Sequence, residues 1–384
     1  MALLIGGLGL SWFVLERPGF GGPPRRTFVD SSPLVPAWLQ PAAAPLEPAA
    51  RPALLPPLPA RLWTLDSLGD PGLVADRASY FSRRPGHTAR WTWDEHPAGG
   101  FQRTIGPLGL RADAPLPATR PSPWVLLTGD SHVDGICDDS ELASERLSQA
   151  LVESGRPRAA VSNAACAYYT LQNYLGVAAR FARARPDVLV VVVYGGNDFG
   201  ALVPLERELR GRSRPSRPRG YRIALLAAEA ATAEGRPVAD SVWQALNQVY
   251  SFARSPELVE PTLTLAWELT EAIRDTCEDH GVRLLVAYLP PAFEVQPDAL
   301  HPAFGEACAL LELGPADLRR STELSSRYLD GLRARAIACV DVGPEFREAR
   351  EPLYWRRDEH LNVAGQRLLA ETLVAPLLAL LEQP

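Results

Sequence analysis

The chain contains no lysine, so all 39 of its basic residues are arginine. This absence excludes two kinds of active site, because neither a P-loop lysine nor a Schiff-base lysine can exist here. Only five cysteines occur, and no two of them have C-x-x-C spacing. This argues against a zinc knuckle or a redox pair. An odd number leaves at least one thiol unpaired, and we expect buried free cysteines.

Basic residues are also fewer than acidic ones, and the 384 residues carry a net charge of −6. That balance gives no reason to expect a nucleic-acid partner. The acidic stretch with His132, Asp134, Asp138 and Asp139 lacks the spacing of a metal site, and we expect a solvated loop there. The sequence therefore predicts neither a metal ion nor another cofactor.

The first 17 residues are apolar, with few polar side chains before Arg17. The apolar run of 15 residues is short for a spanning helix, which needs about 20. It has the length of a signal-peptide core, but Arg17, Arg25 and Arg26 follow it and no basic residue precedes it. The arginines alone would place the remainder in the cytoplasm. We favour a membrane anchor with the body of the chain outside the cytoplasm.

Composition divides the rest of the chain into three parts. Residues 18–60 are rich in Pro and Ala, which predicts an extended linker without a helix. Residues 61–118 contain β-branched and aromatic residues around a Pro-Ala-Gly-Gly turn, which predicts a small accessory β-rich region. Residues 119–384 form the main domain. Residues 199–258 interrupt it as an insertion with two predicted helices, 221–233 and 240–254, and are either a lid or substrate wall or a solvated loop.

Short apolar runs alternate with helical patterns throughout the main domain. The valine-rich run before Gly195 is typical of a parallel strand that is covered on both faces. The alternation predicts an α/β sandwich with a mainly parallel sheet. The predicted strands are 124–128, 159–165, 187–196, 283–289 and 336–342, and the predicted helices outside the insertion are 140–153, 170–185, 261–280, 315–335 and 362–381.

Residues suited to ester cleavage follow the predicted strands. Ligands of α/β sheets bind beyond the carboxyl ends of parallel strands. Ser131 follows the first strand and Asn197 the third, while Asp358 and His360 precede the last helix. A serine nucleophile needs a base, which His360 can supply, and Asp358 can orient that imidazole. The Asn197 side chain and backbone N–H groups can stabilise an oxyanion.

Four sequence blocks resemble those of the SGNH (GDSL-like) hydrolase superfamily. They read GDSH at 129–132, NAACAYYT at 163–170, GGND at 195–198 and DEHLNVAG at 358–365. Further likeness in TIGPLGLR, LLVAYLPPAFEVQP and the LYW before Asp358 points to membrane-anchored bacterial members. The resemblance covers residues 104–380. It implies a flavodoxin-like three-layer α/β/α sandwich, and no G-x-S-x-G elbow occurs that would indicate the α/β-hydrolase fold.

The resemblance also implies roles for individual residues. Ser131 is then the nucleophile, His360 the base and Asp358 its orienting partner. The oxyanion hole is formed by the amides of Ser131 and Ala165 and by Asn197. Gly195 and Asp198 support the Asn197 loop. Two departures from the family pattern occur. Ala165 stands where the family has glycine, and the aspartate lies two residues before the histidine where many members have three.

Three functions remain open from the sequence. The first is hydrolysis of a small-molecule or glycan ester through a Ser131 acyl-enzyme. The second is O-acyl transfer to a polysaccharide, which shares the first half-reaction and differs in whether water or a sugar hydroxyl is the acceptor. The third is a non-catalytic binding or assembly protein on the same fold. The sequence does not indicate an oligomeric state. The resemblance favours a location outside the cytoplasm, anchored to the cytoplasmic membrane of a bacterium.

Overall fold

A computed structural model describes residues 29–30, 34–46, 52–57, 72–111, 116–212 and 236–383. The predicted membrane anchor at 1–17 and the predicted helix at 221–233 lie outside these residues. Within them, one helix, Val363–Leu381, is long and apolar enough by length and composition alone to cross a membrane. Its residues Leu369, Leu373 and Leu377 are fully buried in the core of the main domain.

The N-terminal part holds five short strands in two small antiparallel sheets. They are β1 Val29–Asp30, β2 Leu73–Asp76, β3 Tyr80–Arg83, β4 His87–Thr92 and β5 Gly100–Thr104. Strands β2 and β3 pair with each other, and β1 and β5 flank β4. The β4–β5 hairpin encloses the Pro-Ala-Gly-Gly turn, as predicted.

The main sheet has five parallel strands in the order β10-β9-β8-β6-β7. They are β6 Trp124–Thr128, β7 Ala160–Asn163, β8 Val188–Tyr194, β9 Arg283–Leu289 and β10 Cys339–Asp341. In chain order this is the 2-1-3-4-5 arrangement of flavodoxin-like sheets, and the strand order reverses beside β6. The predicted fold class is confirmed.

Helices cover both faces of this sheet. In chain order they are α1 Gln40–Ala43, α2 Ser131–Asp134, α3 Ala143–Glu153, α4 Leu171–Phe181, α5 Leu202–Leu209, α6 Arg236–Ser241, α7 Asn247–Arg254, α8 Val259–Glu278, α9 Ala292–Val295, α10 Ala303–Leu310, α11 Pro315–Ala334, α12 Gly343–Glu348 and α13 Val363–Leu381. Helices α4, α8 and α11 pack on one face and α3 and α13 on the other. Neighbouring strand residues therefore enter opposite cores, which explains the unbroken apolar run of β8.

Part of the proline-rich stretch is folded, contrary to the extended linker that its composition predicts. Helix α1 begins with Pro41 in its first turn, where proline is tolerated because the N–H of that position lacks a helical acceptor. Leu39, Ala42 and Leu55 are buried in the same core as α4. The proline content therefore limits the length of the helix and does not prevent it.

The acidic stretch after the GDSH block is buried, so the prediction of a solvated loop is wrong. His132, Asp134 and Asp139 are each at most 3% exposed. Buried arginines hold the two carboxylates: Arg83 pairs with Asp134, and Arg111 with Asp139. The burial of these charges is tolerated because each has a partner of opposite sign.

Candidate active site

Ser131 begins helix α2 immediately beyond the carboxyl end of β6. The turn into the helix is tight at Gly129, where a Cβ would lie 2.5 Å from Val133 Cγ2. Asp130 caps the helix, because its Oδ1 accepts a hydrogen bond from the His132 N–H at 2.9 Å. Ser131 is therefore fixed at the point where the strand order of the sheet reverses, which is where α/β folds bind ligands.

His360 and Asp358 approach Ser131 from the loop before α13. His360 Nε2 lies 2.8 Å from Ser131 Oγ, and His360 Nδ1 is hydrogen-bonded to Asp358 Oδ1. Both side chains of the D-x-H pair are buried. A bridge between Tyr354 and Leu361 closes the loop. The three predicted residues thus form a continuous hydrogen-bonded chain, in which the imidazole can accept the serine proton.

The Asn197 side chain shares a cavity with Ser131. Its loop follows β8 and is supported by Asp198, whose Oδ2 accepts hydrogen bonds from the Tyr194 N–H at 2.8 Å and the Tyr174 hydroxyl at 2.9 Å. Gly195 packs so closely on Tyr288 that a Cβ there would lie 1.9 Å from the phenolic oxygen. The GGND block therefore brings Asn197 to Ser131, and glycine is required for its packing.

Ala165 is placed differently from the other predicted residues. Its backbone N–H donates a hydrogen bond to Asn163 Oδ1 at 2.9 Å, and its side chain lines a separate cavity beside Arg83 and Cys166. Ala165 has no positive φ, so the replacement of the family glycine by alanine causes no backbone strain there. Its amide is engaged by Asn163, so its role in an oxyanion hole stays a prediction.

Two protein-family models match this chain. Residues 127–306 match the GDSL-like lipase/acylhydrolase family, and residues 250–383 match the SGNH hydrolase-like domain of acetyltransferase AlgX. The matched segments contain the Ser131 and Asn197 blocks and the Asp358–His360 block. Residues 127–383 therefore form an SGNH/GDSL-like domain.

Several esterases and lipases are among the solved structures that are similar to this chain. TesA is 15% identical at a TM-score of 0.38, with 67% of this chain and 99% of TesA covered. A catalytic mutant of Axe2, an acetylxylan esterase from Geobacillus stearothermophilus, is 12% identical at a TM-score of 0.38, with 69% of this chain and 97% of the Axe2 chain covered. A lipase/acylhydrolase from Enterococcus faecalis is 13% identical at a TM-score of 0.36, with 65% of this chain and 93% of that lipase covered. No curated protein matches the chain.

A second histidine supports His360 in the SGNH domain. The His132 ring lies 4.7 Å from the His360 ring and 3.7 Å from that of Tyr194, centroid to centroid. Burial and the neighbouring His360 hold the pKa of His132 well below its usual value, so the ring is neutral. The Leu361 N–H donates to His132 Nδ1 at 3.3 Å, which places the proton on Nε2. His132 thus packs beneath His360 without adding a positive charge.

Two buried carboxyl groups, Asp130 and Asp198, lie beneath the loop that carries Ser131. Burial raises the pKa of Asp130 to about 6, against the hydrogen bond from His132 and the charge of His360. Burial, together with the charge of Asp130, raises the pKa of Asp198 well above its usual value. Like charges oppose the ionisation of both, so the pair retains a proton near neutral pH. The Asn197 amide lies beside Asp130 and favours its ionised form.

The other walls of the cavity come from the second sequence block and from the insertion. Tyr168, Tyr169, Thr170, Trp243 and Gln244 line it with Ser131 and Asn197. Tyr168 has a φ of +71°, an uncommon conformation for a residue with a side chain. A positive φ leaves no trace in residue type here, so only the position of Tyr168 within the second block could have indicated its place in the cavity.

One cluster among the described residues has the composition of a metal site. Ligand atoms of His96, Asp138 and Glu141 lie within 4.8 Å of one another. Hydrogen bonds within the protein account for these groups: His96 Nε2 lies 2.9 Å from Glu141 Oε2, and Asp138 Oδ1 accepts from the Gln102 N–H. The cluster is explained as the support of the β5 hairpin.

Proposed function

We propose that the protein is a serine esterase that cleaves a carboxylic ester through an acyl-enzyme on Ser131. The observation that carries this proposal is the hydrogen-bonded chain from Ser131 through His360 to Asp358, with Ser131 opening into a cavity. A serine hydroxyl becomes an effective nucleophile only with a base positioned in this way. The match to the GDSL-like lipase/acylhydrolase family supports the same reaction class.

The reaction has two half-reactions. Ser131 Oγ attacks the ester carbonyl carbon while its proton passes to His360 Nε2. The tetrahedral intermediate collapses, the bond to the alcohol oxygen breaks, and His360 returns the proton to the leaving alkoxide. Water then attacks the acyl-enzyme with His360 again as base, and the carboxylic acid is released. Asp358 holds the imidazole in one tautomer and stabilises the imidazolium.

Two donors are available for the oxyanion. The Ser131 N–H has no hydrogen-bond acceptor in the part of the chain that the structure describes, and Asn197, which lines the same cavity, has a side-chain NH₂ to donate. Preorganised donors of this kind are worth roughly 3–4 kcal/mol each in the transition state. The Ala165 amide is a third candidate if it releases Asn163.

Acyl transfer is a second candidate, because residues 250–383 match the domain of an acetyltransferase. Both reactions share the acyl-enzyme, so the acceptor alone distinguishes them. A glycan or small-molecule ester is the proposed substrate in each case. Anchoring to a membrane and a location outside the cytoplasm belong to the proposal and agree with a glycan substrate.

Hydrolysis of p-nitrophenyl acetate tests the assignment. We expect Ser131→Ala and His360→Ala to lower kcat by roughly 10⁴-fold or more, with similar values in the double variant, because the residues act as one unit. Asp358→Asn should lose a similar factor, since it favours the wrong tautomer. The exposed Ser140 provides a matched control, and Ser140→Ala should retain full activity.

The other two functions have distinct outcomes. If product appears on an added glycan at the expense of hydrolysis, the protein is a transferase. If the folded protein neither hydrolyses esters nor reacts at Ser131 with a fluorophosphonate probe, the nucleophile assignment fails and the non-catalytic binding function gains support.

A further inference from the structure

The insertion contributes a wall to the cavity above Ser131. Helices α6 and α7 are joined without a break by a π-helical turn, Val242–Leu246, and two residues of this turn, Trp243 and Gln244, line the cavity. π-Turns inside helices are rare and frequently occur at functional sites. Trp243 is 8% exposed and belongs to an apolar cluster with Phe293 and Phe304, so the protein holds it from behind.

The wall is fixed to the loop that carries Asn197. Gln248 Oε1 accepts hydrogen bonds from the N–H groups of Phe199 and Gly200 at 2.9 and 3.0 Å, and its Nε2 donates to the Gly195 carbonyl at 2.7 Å. A Cβ on Gly196 would lie 2.2 Å from the Gln244 carbonyl oxygen. The absence of a side chain at Gly196 therefore allows the turn to lie directly on this loop.

The wall is also fixed to the loop that carries His360. Ser241, the last residue of α6, is hydrogen-bonded through its Oγ to Glu359 Oε1, and both residues are buried. Glu359 stands between Asp358 and His360 in the chain. Both loops that reach Ser131 thus contact the insertion through buried polar side chains, which keeps the turn at a constant distance from the nucleophile.

The cavity beside Ser131 is small and partly open to solvent. About 30 Å³ of it is accessible to water-sized groups. A site for a single water needs roughly 10–15 Å³, so a cavity of this size suits a short acyl group such as acetyl.

We propose that the turn Val242–Leu246 is the acyl-size selectivity element of this protein, and that Trp243 restricts Ser131 to acyl groups of two or three carbons. This inference rests on the proposed acyl-enzyme at Ser131. Because Trp243 is supported by the cluster behind it and its turn is fixed to both loops, the ring cannot retreat to admit a longer chain. The protein is then an esterase or transferase for acetyl and similarly short acyl groups.

The test is the ratio of kcat/KM for p-nitrophenyl butyrate to kcat/KM for the acetate, measured in wild type, Trp243→Phe, Trp243→Leu and Trp243→Ala. Both substrates are assayed with the same protein preparation of each variant, so the fraction of folded protein cancels from the ratio. One additional methylene in an apolar pocket is discriminated by roughly 10–200-fold. We expect kcat/KM of the wild type to be at least tenfold higher for acetate than for butyrate. The butyrate-to-acetate ratio should rise stepwise in Trp243→Phe, Trp243→Leu and Trp243→Ala, by tenfold or more in total.

Trp91→Ala is the matched control, since it removes the same side chain from β4, outside the cavity, and should leave the ratio unchanged. An unchanged ratio in the Trp243 variants of an active enzyme would overturn the selectivity role and leave the esterase function intact. A wild type that favours butyrate would overturn it as well. If wild type hydrolyses neither ester and Ser131 is not labelled by an ethyl fluorophosphonate, the proposed function fails, and the selectivity role fails with it.

Discussion

At the scale of single residues, Glu359 is an unexpected buried acid. It is 1% exposed and has a φ of +62°. The hydroxyl of Ser241 lies within hydrogen-bond distance of two acceptors, the Pro237 carbonyl oxygen and Glu359 Oε1. A hydroxyl has one proton to donate, so both contacts are satisfied only if Glu359 is itself protonated and donates to Ser241. The geometry therefore favours a neutral carboxylic acid beside Asp358.

The pKa of Glu359 agrees with a protonated, neutral side chain. Burial, together with the neighbouring charges of Asp240 and Asp358, raises the pKa of Glu359 to about 8, against the hydrogen bond with Ser241, which lowers it. Cys308, on α10, is a further titratable group close to it. Between the unfolded pKa near 4.5 and the folded value, the folded protein keeps a proton that the unfolded chain has lost. This stabilising contribution is complete below the unfolded pKa and is lost as the pH rises through the folded one.

The prediction concerns Glu359→Gln, which is neutral at every pH. The free energy of unfolding of wild type, relative to that of the variant, should fall by about 1.4 kcal/mol per pH unit between pH 5 and 8. Urea unfolding at four pH values measures this difference, in which the other buried acids cancel. Glu348→Gln, at an exposed site on α12, is the control and should show no slope. Parallel curves for wild type and Glu359→Gln would mean that Glu359 is ionised in the folded protein.

At the scale of elements, buried ion pairs connect the small sheets to α2, the helix that begins with Ser131. Asp134 at the end of α2 pairs with Arg83 of β3 and Arg103 of β5. Burial raises the pKa of Asp134, but the charges of Arg103, Arg83 and Arg111 outweigh it and lower the pKa below its usual value. Arg111 also donates to the Gly135 and Cys137 carbonyl oxygens. The accessory region thereby holds the far end of the short helix that begins with Ser131.

Removal of this carboxylate should be costly. Asp134→Asn leaves buried arginines without their counter-charge, and we expect the free energy of unfolding to fall by about 3–5 kcal/mol. The exposed pair of Asp330 and Arg333 is the comparison, because Asp330→Asn removes a contact that water screens and should change stability little. Urea unfolding measures both. An equal effect of the two substitutions would contradict a structural role for the Asp134 cluster.

The elements differ in how well local sequence predicts them. Strand β9 has its predicted bounds, and the rest of the main sheet follows from apolar runs, because burial on both faces leaves a continuous pattern. The blocks around Ser131, Asn197 and His360 are also short runs of sequence, so they can be found without knowledge of the fold. Trp243 is not predictable in this way, since helical spacing does not tell which cavity a helix covers. The burial of Asp134 depends on Arg83, which is 51 residues away in the chain. Without knowledge of that partner, an acidic stretch predicts a solvent-exposed loop.

At the scale of the whole molecule, the segment before the small sheets belongs to the main core. The Trp38 ring contacts that of Trp124 at 4.8 Å, and its Nε1 donates to the Pro117 carbonyl oxygen. Arg183, after α4, donates to the Ala44 and Pro45 carbonyl oxygens. Residues 34–46 therefore cover α4 and β6, and they are expected to unfold together with the sheet that positions Ser131.

Two leucines of this segment allow a direct test. Leu39 is fully buried and Leu34 is 92% exposed, so the same substitution removes a core contact at one site and none at the other. Leu39→Ala should lower the free energy of unfolding by about 2–5 kcal/mol, because it leaves a cavity against α4, whereas Leu34→Ala should change it by less than about 0.5 kcal/mol. Urea unfolding followed by both tryptophan fluorescence and circular dichroism should give one shared transition for each variant. If Leu39→Ala instead matched Leu34→Ala, the segment would be a linker in solution, as its proline content alone predicts, and the core above α4 would be complete without it.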